Sequence, residues 1–213
     1  MRLPIAPCAA SRGPADRHSL PELAAPTAAV FSPCGRYRWW LGRIWEPRGP
    51  RLLFVGLNPS RADAQRDDPT LRRLLRFAHD WGYGGLEVMN LFARVSPSPA
   101  LLRRCADPVG RRCDAWLRRR LRRLAAAEAP ARLWLGWGNG GCWRGRDAAV
   151  LALLAAEGWP AHCLGCTRLG QPRHPLYQPR GGSLALFAAS CGDRPALRGL
   201  APCPAFPVAI PST

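Results

Sequence analysis

The sequence contains no lysine. All 31 of its basic residues are arginine, against 14 acids, for a formal net charge of +17. A compositional bias toward Arg, Ala, Gly and Pro explains the choice of Arg over Lys. It does not by itself explain the excess of bases over acids, so the balance favours a polyanionic partner. Also missing is any uninterrupted apolar run of about 18 residues, so no membrane helix is expected. The first 26 residues have one early Arg but no continuous apolar stretch after it, which makes a poor secretory signal; a cytoplasmic location is expected. No G-x-x-x-x-G-K motif occurs, which argues against a phosphate-loop enzyme. The nine cysteines are odd in number and irregular in spacing. Cys163 and Cys166, beside His162, form a C-x-x-C pair, but a zinc site needs a second pair at close spacing, and there is none. The cysteines read as reduced thiols packed as small hydrophobes. No metal and no cofactor are expected.

What is present fits one domain. With 213 residues and 47% apolar content the chain can bury a sizeable core. Residues 1–35 are rich in Ala and Pro without periodicity and read as a disordered leader; residues 191–213 read as a similar tail. The domain is placed at 36–190. Within it, bulky residues over 37–45 suit an edge strand or hairpin arm. Leu52-Leu53-Phe54-Val55 reads as a buried strand. A helix follows, opened by Asp68-Pro69 and closed by Gly82, with an apolar stripe of Leu71, Leu74, Leu75 and Ala78. The next strand is 85–93. A second helix is expected after Asp107-Pro108, a third strand at 132–138, a third helix at 144–159 and a fourth strand at 160–166. A loop then leads to a short helix at 183–190. Strands alternating with long crossovers predict a three-layer α/β/α fold around a central, mainly parallel four-stranded sheet.

In such a sheet, ligands bind outside the carboxyl ends of the strands. All four predicted ends carry polar or special residues. The first has Gly56, Asn58, Pro59 and Ser60, with Asp67 and Asp68 soon after. The second has Asn90 and Phe92; an amide inside the apolar "EVMNLFA" needs partners or costs about 1–3 kcal/mol. The third sets Trp137 between two glycines. The fourth has Arg173, His174, Pro175, Leu176 and Tyr177.

"FVGLNPS" resembles the first motif of the uracil-DNA glycosylase superfamily, in its G-x-N-P-G form. "VMNLFA", "LWLGWG" and "RHPLY" follow in that family's order. The combined pattern "LNPS…DDPT…NLFA…DPVG…GQPRHPLY" also resembles a widespread bacterial domain family of unknown function, over about 36–180, and this is the stronger match. The glycosylase resemblance implies that Asn58 positions the water that attacks the sugar, with Pro59 stiffening its loop. It implies that His174 donates to the departing base, that Pro175 and Leu176 push into the DNA, and that Asn90 lies near a base-reading position. Ser60 stands where the family has Gly, and Trp137 or Phe92 would have to supply the stacking aromatic.

Glycosidic cleavage needs a held water, donors for the developing anion, and a base taken out of its stack. Asn58 and His174 suit the first two tasks, and a carboxylate at Asp67 or Asp68 would stabilise the sugar cation. Other readings stand beside these. Asp68 suits a helix cap better than a catalyst. Asp67 fits a site and a turn equally. The Arg run over 111–123 suits a solvated helix face better than a nucleic-acid patch. Three functions are therefore carried: a monomeric DNA-base glycosylase, a non-catalytic binder of nucleic acid or nucleobase, and an enzyme acting on a small nucleotide or nucleoside.

Overall fold

The structure, a computed structural model, describes residues 27–60 and 62–187. Its centre is a parallel set of four strands: β3 (Arg51–Gly56), β4 (Gly85–Asn90), β5 (Ala131–Leu135) and β6 (Ala161–Cys163). β3 and β4 are buried along their whole length and β5 over its last three residues, as a sheet covered on both faces requires. The sheet does not stop at four. On one edge β2 (Arg38–Ile44) pairs antiparallel with β4, and β1 (Thr27–Phe31) pairs antiparallel with β2. On the other, β7 (Ala185–Leu186) pairs antiparallel with β6. The order is β1-β2-β4-β3-β5-β6-β7, a mixed seven-stranded sheet.

Three expectations are corrected here. Thr27–Phe31 lies within the supposed leader but forms β1, because β2 offers it an antiparallel register that local composition does not reveal. Residues 185–186 are strand rather than helix, held against the edge of β6. The supposed tail at 191–213 lies outside the described residues. The Asp107-Pro108 pair does not open a helix either. Asp107 Oδ1 instead accepts from Gly110 N at 2.8 Å, and the helix begins five residues later.

From the β1–β2 pair the chain enters the parallel set at β3 and crosses to β4 on one side through α1 (Pro69–Asp80). It then crosses to β5 on the other side through α2 (Pro99–Arg103) and α3 (Cys113–Ala125), and on to β6 through α4 (Arg146–Ala156). Crossovers in opposite directions put their helices on opposite faces. Accordingly α1 packs Leu71, Leu74 and Phe77 on the face carrying Leu52, Phe54, Leu86 and Trp134. α3 and α4 pack Trp116, Leu117, Val150 and Leu153 on the face carrying Leu53, Val55, Leu133 and Leu135. The result is three layers, with β3 at the point where the strand order reverses. Among the described residues no helix is long and apolar enough to cross a membrane.

Candidate functional site

At that switch point lies a cavity of about 580 Å³, open at the carboxyl ends of the parallel strands and set between the sheet and the start of α1. Four chain segments supply its rim: residues 56–60 after β3, 96–99 after β4, 137–140 after β5, and 174–177 after β6. Asn58, Asn90, Trp137 and His174 all line it, as do Gly56, Ser60, Leu176 and Tyr177. Four separate strand ends thus meet in one place.

Close approach explains the glycines. Gly56 and Asn90 are register partners at the ends of β3 and β4. A side chain on Gly56 would meet the Phe54 ring at 2.9 Å and the Asn90 amide at 3.1 Å. One on Gly136 would meet Phe54 at 2.5 Å and Pro175 at 3.2 Å. The loops are stitched to one another. Leu91 N donates to Gly56 O at 2.9 Å, Phe92 N to Leu57 O at 3.0 Å and Ser96 N to Pro59 O at 2.9 Å.

Asn58 completes that stitching. Its Nδ2 donates to Pro59 O at 3.0 Å and to Ser96 O at 2.9 Å. The amide nitrogen is spent on bracing; among the described residues its Oδ1 has no partner and can accept. His174 sits at the start of a short turn, and its Nδ1 accepts from Leu176 N at 3.4 Å. An accepting Nδ1 places the proton on Nε2, which has no partner among the described residues and can donate. Burial pushes the His174 pKa below its ordinary value while nearby Asp68 pulls it up, so the ring is neutral at pH 7.

Asp68 caps α1 as its sequence context implies, with Oδ1 accepting from Leu71 N at 2.7 Å. It also lines the cavity, where its Oδ2 accepts from the Ser60 hydroxyl. The carboxylate of the site is therefore Asp68. Asp67 faces elsewhere: its Oδ1 pairs with Arg43 Nη2 at 2.8 Å, because Arg43 is buried in β2 and needs a counter-charge.

Four other candidates do not line the cavity. Phe92 is fully buried, 5.0 Å from the Trp143 ring centre. Pro59 is buried behind the rim and contributes its carbonyl. Pro175 packs under Gly136. Arg173 is exposed, and its Nε donates to Cys166 O at 2.9 Å. Trp137 does line the cavity but is 2% exposed, with Nε1 donating to Gln171 Oε1 at 2.6 Å and Gly141 pressed against its ring. It is a wall and has no free face for stacking. The exposed aromatic at the mouth is Tyr177, 83% accessible.

Sequence reasoning missed Arg38, Ser96, Ser98 and Arg103, all of which line the cavity. Arg38 sits in β2 with 5% exposure. Its Nη1 donates to Ala62 O at 2.8 Å and its Nη2 to Asn90 Oδ1 at 3.2 Å, so Asn90 finds its partner here.

An α/β protein with a cavity of mixed polar and apolar lining at its strand-order reversal is thus defined by fold and site together. Residues 38–176 match the family described as protein of unknown function (DUF1643), and the chain belongs to that family. No curated protein and no solved structure matches it.

Proposed function

We propose that this cavity receives a nucleic-acid base and that the protein hydrolyses the N-glycosidic bond of a modified or mismatched base in DNA. The observation that carries this reading is the pair of unspent polar atoms, Asn58 Oδ1 and His174 Nε2, on two different strand ends of one cavity. Asn58 Oδ1 accepts a hydrogen from a water and orients it toward the sugar C1′. The C1′–N bond breaks, its electron pair leaves with the base, and His174 Nε2–H donates to the base carbonyl as negative charge builds. The water oxygen bonds to C1′, one of its protons ends on the released base, and an abasic sugar remains. Asp68, held by Leu71 N and Ser60, stabilises the sugar cation through space. The chain order of the motifs supports a uracil-DNA glycosylase-like arrangement.

The surface offers grip for a polyanion. Across α1 from the cavity, Arg73, Arg76 and Arg180 border, together with the single acid Asp80, a second hollow of about 330 Å³. Leu176 and Tyr177 project at the mouth, where a wedge or stacking group would stand. As DNA binding leans on phosphate contacts, retention should weaken steeply with salt.

The test is incubation with duplexes carrying a broad panel of modified and mismatched bases, scored for abasic sites. Wild-type chain should release at least one base. Asn58→Ala and His174→Ala should each slow release by about 100-fold or more. Absence of release across the panel sinks the hydrolytic reading. A second reading, a binder without chemistry, is favoured by the bracing role of the Asn58 amide nitrogen. It predicts salt-dependent DNA retention without abasic product.

A further inference from the structure

Arg38 is left unused by this chemistry, and it lines the cavity as a buried cation with one N–H unspent. Two of its nitrogens donate to neutral oxygens, of Ala62 and Asn90. Its Nε is buried with no partner among the described residues. Among those residues no carboxylate reaches ion-pair distance of it. Asp68 and Asp63 act on it only through space, and burial lowers its pKa to about 10. A buried charge with a spare N–H is expensive to keep, and a group left so in a native cavity calls for a missing partner.

The lining around Arg38 suits a small ring. Leu41, Phe54 and Val88 present an apolar floor, and Asn90 Nδ2 lies against Gly56 with no partner among the described residues. The cationic side chains of the lining are Arg38 and Arg103, and its carboxylate is Asp68; with His174 neutral, two positive charges stand against one negative. The Asp68 oxygens are already engaged by a helix-terminal N–H and a hydroxyl, which blunts their repulsion.

We infer that Arg38 and the Asn90 amide form an anion subsite, so that the deep end of the cavity takes a carboxylate or phosphate carried by a ring-bearing ligand such as an acidic pyrimidine or a nucleotide. This rests on the cavity being a ligand site, as the proposed function also requires. It adds a charge requirement that a neutral base does not meet.

The test is calorimetric titration of the full chain with orotate, uridine 5′-monophosphate, inorganic phosphate and uracil. At least one of the two ring-bearing anions should bind tenfold or more tighter than uracil and inorganic phosphate. Preference for orotate assigns the subsite to a ring carboxylate, and preference for the nucleotide assigns it to a phosphate. Arg38→Gln should abolish the preference and Arg38→Lys should keep part of it. Uracil binding as tightly as both anions, no anion binding, or an unchanged preference in Arg38→Gln would overturn the inference. The wild-type comparison needs no variant to fold. Base release from DNA is scored separately: release of neutral bases that Arg38→Gln leaves unchanged sinks the subsite and spares the glycosylase reading. Anion binding without any base release does the reverse.

Discussion

Two arginines, one on each side of the sheet, are nearly equally buried and differently provided for. Arg120 of α3 is 3% exposed. Its Nε and Nη2 both donate to the carboxylate of Glu87, a fully buried residue of β4. Trp40 Nε1 donates to the same carboxylate at 2.7 Å. Arg38, on the α1 side, has two neutral acceptors, an idle Nε and open space beside it. A charge in the layer between α3 and the sheet is closed off by its neighbours, whereas the charge at the strand ends is left open. A fully satisfied guanidinium, rather than burial, separates an arginine that holds a fold together from one with an N–H left for a partner.

The contrast can be broken most forcefully at Glu87. Glu87→Ala strands the buried Arg120 charge and should cost about 3–5 kcal/mol in urea unfolding. A loss under about 1 kcal/mol would mean that Arg120 finds water or another acceptor, and the two arginines would then be alike. Arg38→Met should cost much less. Without ligand it removes an incompletely partnered charge but orphans Asn90 Oδ1 and Ala62 O, so the net loss should stay under about 2 kcal/mol. Destabilisation comparable with Glu87→Ala would make Arg38 a structural residue.

The smallest effect concerns His174, which shares the cavity with Arg38. Burial holds its folded pKa below the unfolded value, so an unfolded chain takes up the proton first as pH falls. Its contribution to stability is complete above about pH 6.5 and is lost as pH drops below that value. In His174→Asn the decline in unfolding midpoint between pH 7 and 5 should be shallower than in wild type. Parallel slopes would show that the ring titrates freely and offers no fixed neutral donor.

The contrast also explains what could be read from the sequence. Asn58, Asn90, Trp137 and His174 were legible because buried parallel strands have recognisable ends, and the topology brings those ends together. Arg38 was not, because its partners Ala62 and Asn90 are 24 and 52 residues away, and one Arg among 31 attracts no notice. Asp67 could not be placed for the same reason: Arg43, which claims it, lies 24 residues earlier. Phe92 follows β4 in sequence, but its side chain turns into the α3–α4 core, a direction that a strand end does not announce. The antiparallel additions β1 and β7 escaped because their stability comes from an edge already formed, and their own residues are short, small or partly exposed.

Asp68 ties the history of this site to that of the fold. One oxygen starts α1, and the other joins Ser60 on the cavity wall. Replacing it to suit a different ligand would loosen the first turn of the helix that covers one face of the sheet. Arg103 and Tyr177, by contrast, are exposed and unseat no element when they change. Relatives that diverge in what they bind should therefore vary at the mouth and keep the acid at the helix start, where selection for folding and selection for ligand fall on the same carboxylate.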